Sequence, residues 1–126
     1  MKKSNFQAQP FRSSQCGQSC VAMITGKSLE EIINEFDKIY SVCIYNDIKP
    51  YLDKNGFRTS ITYCDLPLNE INSIPNSSII RFGKPDTTGH FIIKTDKGKL
   101  FDPFTGIVEE YLNHYTISHY LQFEKK

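Results

Sequence analysis

Gln15-Cys16-Gly17-Gln18-Ser19-Cys20-Val21-Ala22-Met23-Ile24-Thr25-Gly26 is the stretch around which the rest of the chain is organised. Cys20, Val21, Met23 and Ile24 have the spacing of a short buried helix over residues 17–25, and Gly26 is placed to close it in the left-handed conformation. Cys16 then falls at the first turn. Thiolate is the reactive form of cysteine, and the partial positive charge at a helix N-terminus favours it. Gly17 has no side chain to obstruct a carbonyl group, and the free N–H groups of that turn point where an oxyanion would develop. A cysteine taken alone is more often a small buried hydrophobe. Cys43, which follows a helix, Cys64, which closes a strand, and Cys20, one turn beyond Cys16 in an apolar run, are read that way.

Downstream, Ser28-Leu29-Glu30-Glu31 is a capping box, and Leu29, Ile32, Ile33, Phe36 and Ile39 recur on one helical face. A third helix is expected over residues 47–55, with Pro50 in its first turn, where a missing N–H costs little, and Gly56 at its end. Upstream, residues 1–15 are a polar, extended lead. The second half changes character. Residues 57–64, Ser78–Phe82, His90–Lys94 and 99–101 read as short strands bounded by Pro, Gly and Asn, with Asp96-Lys97-Gly98 as a hairpin turn. Residues 107–111 and 117–123 have the composition of either strand or helix. Helices followed by an antiparallel sheet make an α+β arrangement in a single domain spanning residues 1–126.

A thiol needs a base. His90 opens the run Gly89-His90-Phe91-Ile92-Ile93, and Asp102 ends Lys99-Leu100-Phe101-Asp102-Pro103. If residues 96–98 form the turn, both lie at the end of the hairpin opposite it, with His90 across from residues 102–104. A carboxylate there accepts a hydrogen bond from one ring nitrogen and leaves the other for the thiol. Gly89 would let a substrate chain approach, and Pro103 stiffens the strand exit. His114 and His119 lie in a polar, tyrosine-rich tail and are read as satisfied polar residues.

Composition narrows the alternatives. With a formal charge of +1, 39% hydrophobic and 23% charged residues, the chain lacks the basic stripe of a nucleic-acid binder. After Lys2-Lys3 the sequence turns polar, so no signal peptide is expected, and no run approaches a membrane span. The expected compartment is the reducing cytoplasm, where four cysteines do not form a disulfide framework.

Cys16-Gly17-Gln18-Ser19-Cys20-Val21-Ala22-Met23-Ile24 resembles the nucleophile helix of the C39 peptidases. Gly89-His90-Phe91-Ile92-Ile93 and Leu100-Phe101-Asp102-Pro103-Phe104-Thr105-Gly106 resemble the same family's base strand and Asp-Pro…Gly segment. The likeness runs from about Gln9 to Gly106. It implies a papain-like cysteine protease fold in which Cys16 is nucleophile, His90 general base then acid, and Asp102 the residue that orients the ring. Gln9 would donate to the oxyanion, with Gln7 and Gln15 as alternatives. Cys20 is the alternative nucleophile, and the helix-start position favours Cys16.

The function so implied is hydrolysis of a peptide or amide bond through a thioester, with a peptide or protein as substrate and no metal or cofactor. Deamidation uses the same residues, and a catalytically silent binding module would share the fold. Zinc binding through Cys16, Cys20, Cys43, Cys64 and a histidine is a rival of another class. It lacks the second close cysteine pair that structural zinc sites show.

Overall fold

The computed structural model describes residues 15–38, 40–83, 89–103, 106–108 and 116–126. The first helix, α1 (Cys16–Thr25), begins at the cysteine itself. Its residues from Cys16 to Met23 are all buried, and Gly26, at φ +78°, donates its N–H to the Ala22 carbonyl as the expected left-handed cap. Gln18 is fully buried and uses its amide to tie the helix to the chain that follows the second helix, donating to the carbonyls of Lys38 (3.3 Å) and Tyr40 (2.5 Å).

The second helix, α2 (Leu29–Phe36), carries the capping box read from the sequence. The Ser28 hydroxyl accepts from the Glu31 N–H, and the Glu31 carboxylate accepts from the Ser28 N–H. It stops before the apolar pattern does, because Asp37 adopts a left-handed conformation at φ +56°. Ile39 lies outside the described residues.

The third helical region begins earlier than expected. A π-helical turn (Ile44–Ile48) leads into α3 (Lys49–Lys54), with Pro50 in the first α turn. Ile44, Ile48 and Leu52 recur every four residues and are all buried, which extends the apolar stripe back past Asp47. The Asp47 carboxylate accepts the Cys43 N–H at 2.7 Å and so caps the turn it belongs to.

Among the described residues six antiparallel strands follow: β1 (Phe57–Pro67), β2 (Ser78–Phe82), β3 (His90–Lys94), β4 (Leu100–Asp102), β5 (Gly106–Val108) and β6 (Thr116–Lys125), in the order β1-β6-β2-β3-β4-β5. Both ambiguous segments of the sequence contribute strands. β1 runs on to Pro67 through an irregularity between Tyr63 and Leu66, and β4 lies one residue later than expected. The turn between β3 and β4 closes through Thr95 and Lys99, with Gly98 at φ +79°.

The sheet is covered on both faces. Ile79, Phe91, Ile93, Phe101, Leu121 and Phe123 pack with α1, with Ile32 of α2 and with Ile44, Ile48 and Leu52. On the other face Ile80, Phe82, Ile92, Leu100 and Ile117 pack against Leu68 and Ile71 of a 3-10 helix (Leu68–Ser73). Burial on two faces explains why β2 and β3 read as continuous apolar runs rather than alternating ones. The 3-10 helix was not foreseen, since its few apolar residues carry no helical periodicity of useful length.

Position 17 shows how closely α1 lies on this layer. A Cβ on Gly17 would stand 2.5 Å from a Val42 methyl carbon and 3.3 Å from the Phe91 ring. The glycine therefore serves packing of helix against strand, and the open approach for a substrate expected from the sequence is filled by Val42. Alanine is favoured over glycine in a helix by about 1 kcal/mol, but overpacking a tight contact costs about 1–3 kcal/mol. Gly17→Ala is expected to lower stability, seen as a reduced midpoint in urea denaturation.

Candidate active site

The β3–β4 ladder pairs Ile93 with Phe101 and Lys94 with Leu100. One step further along that register, Asp102 stands beside Ile92, so His90 is its diagonal neighbour on the same face. The side chains meet there. His90 Nε2 lies 2.8 Å from Asp102 Oδ1, with the carboxylate side chain 4% exposed and the imidazole 28% exposed. A buried acceptor thus holds a ring that reaches towards solvent, and Nδ1 is left for another partner.

That partner comes from α1. The Phe91 N–H, next in the chain after His90, donates to Cys16 Sγ at 3.4 Å. The sulfur is nearly buried and interacts with the His90 ring. Burial disfavours the charged imidazole, yet the Asp102 hydrogen bond and the Cys16 sulfur outweigh it and bring the His90 pKa up to about 9. The structure therefore brings together Cys16, His90 and Asp102, from the head of α1, the start of β3 and the end of β4. The Phe82 ring, opposite His90 on β2, lies 6.3 Å from the imidazole and closes that side.

The remaining candidates fall elsewhere. Gln9 and Gln7 lie outside the described residues, as does His114. Gln15 occupies the position just before α1. Cys20 is fully buried one turn below Cys16, and burial, with Cys16 and Asp102 adding to it, pushes its thiol well up. All four cysteines are free thiols; Cys43 is exposed and Cys64 half-buried. Among the described residues no group of three or more His, Cys, Asp or Glu side chains is arranged to hold a metal ion. No helix of the described residues is long and apolar enough to cross a membrane.

His119 is satisfied, as expected, its Nδ1 pairing with the Ser118 hydroxyl at 2.9 Å, but it is buried within β6 rather than placed in a polar tail. The rings of Tyr45 and Tyr63 flank it at 5.4 and 5.2 Å. Burial and the Arg81 charge both lower its pKa. Arg81 is a residue the sequence analysis does not single out, and its signal is a lone charge inside Ser78-Ile79-Ile80-Arg81-Phe82, a run otherwise suited to a buried strand.

The chain is similar to a double glycine motif protease from an AMS/PCAT transporter, solved in complex with the leader peptide. The TM-score is 0.68 with 16% sequence identity, over 95% of this chain and 91% of that one. The fold is therefore the α+β, papain-like arrangement of that protease, with helices packed on an antiparallel sheet. No protein-family model matches the sequence, and no curated protein matches it either.

The imidazole titration has a consequence for stability. A ring whose pKa is raised on folding, from an ordinary value near 6.5, stabilises the fold fully below about pH 6.5 and loses that contribution as pH rises through about 9. The stability difference between the native chain and His90→Asn should shrink across that interval, measured by urea denaturation at a series of pH values.

Proposed function

We propose that this chain is a cysteine hydrolase that cleaves a peptide bond, with Cys16 as nucleophile, His90 as general base and then acid, and Asp102 as the residue that orients the ring. The observation that carries the proposal is the His90 imidazole, braced by Asp102 on Nε2 and raised to about 9 by Asp102 and the Cys16 sulfur. At neutral pH such a ring holds its proton, and a charged imidazolium beside a sulfur favours thiolate. The Phe91 N–H adds a donor to the same sulfur. Cys20 has no exposed surface, which favours Cys16 as the attacking atom.

In the proposed reaction the Cys16 sulfur attacks the carbonyl carbon and the carbonyl oxygen becomes an oxyanion. N–H groups of the first turn of α1 and the Gln9 amide would stabilise that charge. His90 gives its proton to the amine as the C–N bond breaks, leaving a thioester on Cys16. Water then attacks, losing a proton to His90, and the C–S bond breaks to release a carboxylic acid and restore the Cys16 thiolate beside the protonated His90. Nothing in these steps needs a metal or a redox cofactor. The fold neighbour was solved with a leader peptide bound, which supports a peptide as the substrate class here.

The test is hydrolysis of a peptide library followed by mass spectrometry. Cys16→Ala should abolish cleavage, and His90→Ala should reduce it by about 100- to 10,000-fold, the usual worth of a positioned base. Iodoacetamide at mildly acidic pH should label Cys16 in the native chain and lose that labelling in Cys16→Ala. Cleavage that survives Cys16→Ala would overturn the proposal. Release of ammonia from glutamine side chains without chain cleavage would move the assignment to a deamidase.

A further inference from the structure

Gly89 precedes the proposed base, and its surroundings on β2 are tight. A Cβ at this position would lie 2.5 Å from the Phe82 carbonyl oxygen and 2.8 Å from both Cζ and Nε of Arg81. The Arg81 guanidinium and the Phe82 carbonyl therefore rest directly on the Gly89 Cα, where the sequence suggests an approach for substrate. Arg81 is only 7% exposed. It is held from the far side by a device in β6. The β2–β6 ladder pairs Arg81 with His119 and then Phe82 with Ile117, so Ser118 is an extra residue with no partner on β2. Bulges of this kind re-aim a side chain and occur beside active sites. Here the fully buried Ser118 hydroxyl accepts from Arg81 Nη1 at 2.7 Å and pairs with His119 Nδ1 at 2.9 Å.

We infer that Arg81 is a positioning residue for His90. The Ser118 bulge fixes the guanidinium, the guanidinium and the Phe82 carbonyl form the seat for Gly89, and the seated Gly89 sets the direction in which His90 leaves the backbone. The imidazole has to meet a carboxylate on β4 and a sulfur on α1 at once, and a strand-end residue has few ladder bonds to hold it. A buried planar cation pressed on the preceding Cα supplies the missing restraint. Glycine is required at 89 because any side chain would occupy the place of the guanidinium. This inference deepens the hydrolase proposal and rests on it for the role of His90, while the seat itself is a matter of geometry.

The test reads the His90 ring directly, so it does not depend on turnover. The His90 pKa would be followed by NMR titration in the native chain, Arg81→Lys, Arg81→Met and Ser118→Ala, with Ser28→Ala as a variant that loses stability at a distant helix cap. Arg81→Met and Ser118→Ala are expected to move the His90 titration from about 9 down towards the ordinary value of about 6.5. Arg81→Lys should restore part of the shift, and Ser28→Ala should leave it unchanged. Where a cleaved peptide is in hand, kcat should fall by about 10- to 100-fold, the scale of a small misplacement, with KM little changed. Ser118→Ala removes one hydroxyl and keeps the test open if Arg81→Met does not fold. A His90 titration that stays in place in Ser118→Ala and the folded Arg81 variants would overturn the inference. So would an equal shift in Ser28→Ala. A native His90 that shifts on these substitutions in a chain without hydrolysis would keep the seat and remove the hydrolase reading.

Discussion

The contact of α1 with β3 is the constraint on which the rest depends. Position 17 has no room for a methyl group because the Val42 side chain fills that place, with the Phe91 ring of β3 just beyond it, and the strand lies close enough for the Phe91 N–H to reach the sulfur of Cys16. A larger residue at 17 would have to displace Val42 or the Phe91 ring, and a helix shifted to make room would part the sulfur from the imidazole that follows Gly89. The polar geometry is thus set by apolar packing: Val42, Ile48 and Phe91 hold the helix at the distance that the three polar side chains need. Close packing of this sort tolerates little adjustment, since interiors are nearly as dense as organic crystals.

A second layer of order comes from hydrogen bonds that span sequence-distant segments. Gln18 fastens the head of α1 to the chain before Val42, and Lys94, buried and with its pKa lowered by burial, donates to the carbonyls of Asn72 and Ile74. One restrains the helical side of the sheet and the other restrains the 3-10 side. Neither group touches the sulfur or the imidazole, yet both limit how far β3 can move relative to its neighbours.

Much of this was legible in the residues. The capping box of α2 and the glycine after α1 are local signals whose partners lie within four residues, so both are plain in the sequence. The meeting of His90 and Asp102 was legible because a tight turn fixes hairpin register, which reduces a tertiary question to counting. What escaped was non-local. Ser118 looks like an ordinary strand residue until β2 and β6 are aligned and one residue is found to be extra. His119 carries no sign of burial in its own neighbours, since Tyr45 and Tyr63 arrive from other elements. Gly17 and Gly89 were identified as places of close approach, but sequence cannot tell whether the visitor is a ligand or another part of the same chain, and here Val42 and Arg81 take those places.

The position of β6 has a consequence for how the molecule is built. It is last among the strands in sequence but sits second in the sheet, with β1 on one side and β2 on the other. Until it is made, the long first strand has no neighbour to bond with, and the hairpins of the second half lack a wall. During synthesis the two halves must wait for residues 116–125 to clear the ribosome and slot between them. Contacts so remote along the chain make for slow folding. A nascent chain stalled before that point would display the edges of β1 and β2 that β6 otherwise pairs, the kind of surface that chaperones cover.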